Sequence, residues 1–193
     1  MFIIVASSPC SNLTKEMLEW FNQRTANHIK LVQKYCKKIE EYDPKRFEGL
    51  VERGKDHDQS KYKAPEHDPY VYITWRYKCK DDGKKLELTK AQEDAMNAAS
   101  EHHIKNNPHH PEYHTDQEGE LVNPKDRDKP PDKLIDATKM GKMDIAELCA
   151  DWCAMSEERD GSPKAWADKN VNVRWKFTDA QKDLIYELIE EVF

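Results

Sequence analysis

The feature of this chain that most limits its fold is a long helical pattern near the start of the sequence. Between Thr14 and Tyr42, apolar side chains recur as a stripe along one face of an amphipathic helix. The side chains of this stripe are Met17, Leu18, Phe21, Leu31, Val32, Tyr35 and Ile39. The pattern predicts a first long helix with one face towards the core.

Local signals predict further helices. Asp43 and Pro44 are a typical helix start, and the helix beginning there should carry His57 and Asp58 on its inner face. Pro65 should open a third helix, and the capping boxes Thr89 to Gln92 and Thr178 to Gln181 should open two more. The sequence therefore predicts an all-α protein, a helical bundle of about five to seven helices with a long charged loop.

Length and composition favour one domain over residues 1–193, with an N-terminal segment at 1–12 that is strand-like at most and an exposed loop at 115–133. The chain has 31 basic and 37 acidic residues, a net charge of -6, which argues against a partner such as duplex nucleic acid. The five cysteines show no zinc-knuckle spacing, and no segment resembles a membrane span. We expect a reduced, cytoplasmic protein.

Metal binding is the first functional hypothesis, because imidazole and carboxylate are adjacent in His57-Asp58. Neighbouring side chains on a helix point about 100° apart, so further ligands must come from other elements. His28 lies seven residues after Phe21 and seven before Tyr35, on the apolar stripe. It is therefore either a hydrogen-bonded core histidine or a ligand, and the nearby His57-Asp58 favours a ligand.

Histidines are concentrated between residues 102 and 114, where five of the eight in the protein fall. Such a cluster is either a solvated polar turn or a second metal site with groups that contact substrate. Helical spacing favours His103 over His102 as the ligand, whereas spacing does not separate His110 from His109. We assign His103 and His110 as metal ligands and His102 and His109 as catalytic.

Two aspartates compete for the last ligand position. Asp144 begins the pattern Asp144-Ile145-Ala146-Glu147, which is a capping box and gives Asp144 a structural role. Asp151 lies in the middle of the same predicted helix, where an unpaired carboxylate would be costly. We therefore choose Asp151 as the ligand.

The order His28, His57-Asp58, histidine cluster, Asp151 resembles the HD superfamily of all-helical, metal-dependent phosphohydrolases, whose signature is His, His-Asp, Asp. Lys61 matches a lysine that many of these proteins carry three residues after the aspartate. More narrowly, residues 25–193 resemble a family of small bacterial and phage proteins known only as a domain of unknown function. The motifs that carry this resemblance are His57 to Lys61, the two histidine pairs with Tyr113, and Ala150-Asp151-Trp152.

The HD resemblance implies an enzyme that hydrolyses phosphomonoesters or phosphodiesters, with a nucleotide or another small phosphorylated metabolite as substrate. The cofactor would be one or two divalent ions of Mn, Fe, Co, Ni, Zn or Mg. Lys61 would neutralise phosphate charge, or it is an ordinary surface lysine, with Glu66 and His67 as alternative acid or base groups. If a phage encodes the chain, it would act in the host cytoplasm. The alternatives are a di-iron oxygenase of HD type and a non-catalytic binding module stabilised by metal.

Overall fold

The structure is a computed structural model that describes residues 9–117, 121 and 133–193. Within these residues it contains seven α-helices and two short parallel strands, which confirms the all-α class. The α-helices are α1 (Lys15–Tyr42), α2 (Leu50–Arg53), α3 (His67–Asp81), α4 (Lys90–Asn106), α5 (Lys142–Glu158), α6 (Pro163–Asn170) and α7 (Asp179–Val192). The strands are β1 (Ile135–Asp136) and β2 (Trp175–Lys176), and 3-10 turns lie at Gln59–Tyr62 and Pro111–His114.

The contacts divide the chain into two compact units. The first unit contains residues 1–25 and 59–103, and the second contains 26–58 and 104–193. The predicted single domain over 1–193 stays a prediction. The segment Phe2 to Ala6, predicted to be strand-like at most, and most of the predicted loop 115–133 lie outside the described residues.

The first unit is held together by an apolar core from α1, α3 and α4. Phe21 from α1, Val71 from α3 and Met96 from α4 are almost fully buried in one cluster. Helix α4 begins at the predicted capping box, since Thr89 N donates to Gln92 Oε1 over 2.9 Å and Gln92 N donates to Thr89 Oγ1 over 3.2 Å. This confirms the predicted start of that helix.

The second unit packs α5 against α6 and α7. Leu148 and Cys149 on α5 are buried in the same cluster as Ile185 and Leu188 on α7. The predicted capping box at Thr178 opens α7, and strands β1 and β2 pair through the bond from Ile135 N to Arg174 O, 3.0 Å long. None of the described helices is long and apolar enough to cross a membrane.

Two predicted helices differ from the structure. The second helix does not run from Asp43 to Asp58, because Gly49 adopts a left-handed conformation and α2 covers only residues 50–53. Helix α5 begins at Lys142, so Asp144 is in its third position, and its carboxylate accepts from Gly141 N over 3.2 Å. Glu147 is therefore a residue of the helix interior and not part of a cap.

Candidate metal centre

A tight turn, and not a helix, presents His57 and Asp58. Asp58 has φ of 59°, the left-handed region that few residues other than glycine enter, although aspartate and asparagine tolerate it. Just before the turn, a Cβ on Gly54 would lie 3.1 Å from Cys36 Sγ, so glycine lets this segment pack directly on α1. The prediction that both side chains face inwards is confirmed, since His57 is 2% and Asp58 1% exposed.

Within the second unit, α1 and α5 bring two more predicted ligands to this turn. His28 Nε2 lies 3.6 Å from Asp58 Oδ2 and 3.1 Å from Asp151 Oδ1. His57 Nε2 lies 3.7 Å from Asp58 Oδ2. The four residues predicted to hold the first metal ion are thus side by side, although they are far apart along the chain.

The structure also brings His109 to this group. His109 Nε2 lies 3.8 Å from Asp58 Oδ1, and its ring centre is 4.2 Å from that of His57. His110 follows it, with a ring centre 4.2 Å from that of His109. Sequence spacing left these two histidines equivalent, whereas the geometry favours His109 as the ligand beside Asp58.

The atoms of this cluster suit a cation. Two donors that each lie about 2.1 Å from one ion at roughly tetrahedral angles are about 3.4 Å apart. The nitrogen–oxygen separations around Asp58 and Asp151, from 3.1 to 3.8 Å, bracket that value. Two buried groups could therefore hold a metal ion. One contains His28, His57 and Asp58, and the other contains His57, His109 and Glu147.

The Nε2 atom of His57 gives independent support. It is buried and, among the described residues, it accepts and donates no hydrogen bond. A buried polar atom without a partner costs about 1–3 kcal/mol, and such atoms are rare in folded proteins. A divalent cation bound to this nitrogen would remove that cost.

Electrostatics tie His28 to Asp151. Burial by itself would lower the pKa of His28, but its contacts with Asp151 and Glu158 raise that pKa to about 9. Burial would likewise raise the pKa of Asp151, but the hydrogen bond from His28 lowers it to about 2. Asp151 is therefore a carboxylate at neutral pH, the form that a cation requires.

The sequence analysis missed Glu147 at this site, and it also missed Glu158, whose Oε1 lies 3.2 Å from His28 Nδ1. Glu147 Oε1 lies 2.8 Å from His57 Nδ1 and 3.3 Å from His109 Nδ1, and Oε2 accepts from Arg53 Nε. Burial would raise the pKa of Glu147, but hydrogen bonds from His109 and His57 hold it well below its usual range. Glu147 lies four residues before Asp151, on the same helical face, and this spacing was the available signal.

The remaining predicted site residues lie in the first unit. Glu66 is fully buried, and its carboxylate lies 2.8 Å from both His102 Nδ1 and His103 Nδ1. Burial would raise the pKa of Glu66, but the hydrogen bond from His103 lowers it. Lys61 Nζ lies 5.1 Å from the centre of the Tyr70 ring, a cation–π distance.

A cavity of about 670 Å³ also lies in the first unit, with His102, His67 and Tyr62 in its wall. His67 Nδ1 is 2.7 Å from Asp68 Oδ1, so the wall carries a polar pair among small apolar side chains. Because His103 belongs to the first unit and His110 to the second, the predicted second metal site that would combine them stays a prediction.

The fold and this site define a class: all-helical proteins with a buried group of histidines and carboxylates able to hold a metal ion. The chain belongs to a family of unknown function, DUF5662, whose sequence profile matches residues 17–191. This confirms the resemblance to a family known only as a domain of unknown function. No curated protein and no solved structure matches the chain.

Proposed function

We propose that the chain is a metal-dependent phosphohydrolase of the HD type, acting on a nucleotide or another small phosphorylated metabolite. The observation that carries the proposal is the set of three imidazole nitrogens around one buried carboxylate. Nε2 of His28, His57 and His109 each lie within 3.8 Å of an oxygen of Asp58. Their order along the chain, with Asp151 last, is the HD order.

The donor set limits the cofactor. Imidazole nitrogens and carboxylate oxygens without thiolate suit Mn, Fe, Co, Ni or Zn, and a mainly carboxylate arrangement would also suit Mg. A divalent cation in this site would supply the Lewis acidity that polarises a phosphoryl group and activates water. Asp58 and Asp151 would balance the charge of the cation.

The chain's own residues would exclude solvent from the centre and position its charged groups. The centre is almost closed to solvent, since His28, His57 and His109 are each at most 5% exposed, so interactions between charges in it are weakly screened. His28 bridges Asp58 and Asp151 and would keep both carboxylates on the same side. Lys61 and His102 stay the predicted contacts for substrate phosphate.

The buried thiols support a cytoplasmic location. All five cysteines are buried and none forms a disulfide, which suits a reducing compartment. We place the protein in the cytoplasm, or in the host cytoplasm if a phage encodes it.

The test compares wild type with Asp58→Asn and with the matched control Asp56→Asn, whose side chain is exposed. Metal content is measured by elemental analysis, and phosphate release is then followed on a nucleotide panel. We expect near-stoichiometric metal and phosphate release in wild type and in Asp56→Asn, and loss of both in Asp58→Asn. Asparagine is chosen over alanine because it tolerates the left-handed backbone at position 58.

Three other results would contradict the proposal. Bound iron with oxygen consumption and no phosphate release would identify a di-iron oxygenase instead. Metal that raises stability without any turnover would identify a metal-stabilised binding module. Absence of metal under every loading condition would remove both enzyme hypotheses.

A further inference from the structure

Each histidine that faces Asp58 has its other ring nitrogen on a glutamate. His28 Nδ1 lies 3.2 Å from Glu158 Oε1. His57 Nδ1 and His109 Nδ1 lie 2.8 and 3.3 Å from the same oxygen of Glu147. Three rings therefore share one orientation, with Nδ1 towards a carboxylate and Nε2 towards Asp58.

This orientation decides where the ring proton lies. A neutral imidazole carries one N–H and one lone pair, whereas an ionised carboxylate only accepts hydrogen bonds. A ring that binds a cation must give up one proton, and the nitrogen beside the glutamate keeps its hydrogen because the glutamate can only accept. The lone pair is then on Nε2, the nitrogen that faces Asp58. Only a nitrogen with a lone pair can bind a cation.

Glu147 is itself held in place. It is 4% exposed, and its second oxygen accepts from Arg53 Nε, while the Arg53 guanidinium also pairs with Asp144. One carboxylate oxygen thus contacts the two histidines, and the other contacts Arg53. Neither oxygen can turn away without losing either the contacts with the two histidines or the ion pair with Arg53.

We propose that Glu147 and Glu158 are positioning residues that fix the Nδ1–H form of His28, His57 and His109, so that all three bind one divalent cation through Nε2. This inference rests on the metal centre of the proposed function. It adds which nitrogen of each ring is the ligand, which histidine of the 109–110 pair takes part, and which carboxylates act behind the ligands.

The first unit contains the same arrangement independently. Glu66 lies 2.8 Å from Nδ1 of both His102 and His103, and Ser60 Oγ donates to it over 2.9 Å. A carboxylate on Nδ1 again assigns the lone pair to Nε2. The chain thus orients five of its eight histidines through three glutamates.

The first measurement uses the full wild-type chain, labelled with ¹⁵N and loaded with Zn²⁺, a diamagnetic probe. Long-range ¹H–¹⁵N spectra distinguish a protonated nitrogen from a metal-bound one in each histidine. We expect His28, His57 and His109 to show protonated Nδ1 and zinc-bound Nε2. This result needs no variant to fold.

The second measurement is zinc affinity by competition with a chromophoric chelator. In Glu147→Gln the amide nitrogen donates instead of accepting, so the side chain can no longer serve Arg53 and both histidines together. Loss of such an orienting partner lowers metal affinity about 10- to 100-fold. We expect that loss, together with an altered ring-proton pattern for His57 or His109.

Two further variants complete the test. Glu158→Gln should alter the ring-proton pattern of His28, because Glu158 Oε1 lies 3.2 Å from Nδ1 of that ring. Glu157→Gln is the matched control on the same helix, since Glu157 pairs at the surface with Lys34 and with the hydroxyl of Tyr35. Its zinc affinity and histidine spectrum should equal those of wild type.

The outcomes separate this inference from the proposed function. If wild type binds no zinc, the metal centre fails and the positioning role fails with it. If zinc binds through Nδ1, or if Glu147→Gln keeps wild-type affinity and ring-proton pattern, the positioning role is overturned while the metal centre stands. Loss of zinc affinity in Glu157→Gln would likewise overturn it, because the effect would not be specific to the carboxylates on the rings.

Discussion

The charge of Asp58 should decide how much a metal ion stabilises this protein. Asp58→Asn is the cleanest perturbation, because it keeps the shape of the side chain and the tolerance for φ of 59° while removing the negative charge. In the structure this carboxylate is 1% exposed and is approached by three imidazole Nε2 atoms. Asparagine at this position therefore removes the negative charge that all three nitrogens approach.

The expected magnitude follows from binding linkage. At a metal concentration 100 times the dissociation constant, a bound ion stabilises the folded state by about 2.7 kcal/mol. For a chain of this length, each kcal/mol shifts the Tm by about 2–4 °C, so metal should raise the wild-type Tm by about 5–11 °C. A hydrogen bond to a charged group contributes about 1.5–3 kcal/mol. Loss of the anionic ligand should cost at least as much binding free energy, which lowers the affinity for the metal about 100-fold. At the same metal concentration the variant would gain only about 0.4 kcal/mol, or about 1 °C.

The assay is thermal unfolding followed by circular dichroism, with chelator and with a series of Zn²⁺ and Mn²⁺ concentrations. The quantity compared is the Tm difference with and without metal for each protein, which cancels any effect of the substitution on the metal-free fold. Asp56→Asn should keep the full wild-type difference. If metal raises the Tm of Asp58→Asn as much as it raises the Tm of wild type, the reasoning is refuted, because the cation would then be bound elsewhere.

Three further predictions concern the scaffold around the centre. Arg53→Met should lower the free energy of unfolding by about 2 kcal/mol in urea titrations, because it leaves the buried Glu147 carboxylate without its cationic partner. The loss is smaller than for a fully buried ion pair, because Arg53 is partly exposed. Leu188→Ala should cost about 3 kcal/mol in the same titrations, because Leu188 is 0% exposed in the core of the second unit. Cys36 should resist iodoacetamide at pH 8 in the native protein, since burial raises the pKa of its thiol and closes access to it.

Matched measurements make these three predictions specific. Arg46→Met removes a half-exposed ion pair with Glu187 and should cost less than about 1 kcal/mol. Glu190→Ala on the exposed side of α7 should stay within about 0.5 kcal/mol of wild type. Losses equal to those of Arg53→Met and Leu188→Ala would contradict the two stability arguments. Alkylation of Cys36 in the native protein at the rate seen in urea would contradict the third.

The helices were predictable from sequence where a local pattern determines them. The apolar stripe of α1 and the capping boxes at Thr89 and Thr178 each depend on residues a few positions apart, and the structure confirms all three. Prediction failed between Asp43 and Asp58, where apolar spacing continued across Gly49. The left-handed backbone at Gly49 and Asp58 breaks the helix there, and periodicity carries no information about it.

The same distinction applies to the candidate site. Glu147 has a capping pattern in the sequence, yet helix α5 begins earlier and turns its carboxylate towards His57, which is 90 positions away. No local rule connects residues at that separation. The position of Glu147 four residues before Asp151 was present in the sequence, but its meaning depended on the partners across the core.

The sequence by itself determined the residue types of the candidate centre and their order, His28, His57-Asp58 and Asp151, because side-chain chemistry and helical period are local properties. Only the tertiary structure decided that His109 joins them beside Asp58, that Glu147 and Glu158 contact the ring nitrogens, and that each Nε2 points towards one carboxylate. The physical reason is that the sequence does not show which of the two ring nitrogens of a histidine is available to a metal ion. They become different only when packing places a carboxylate beside one of them.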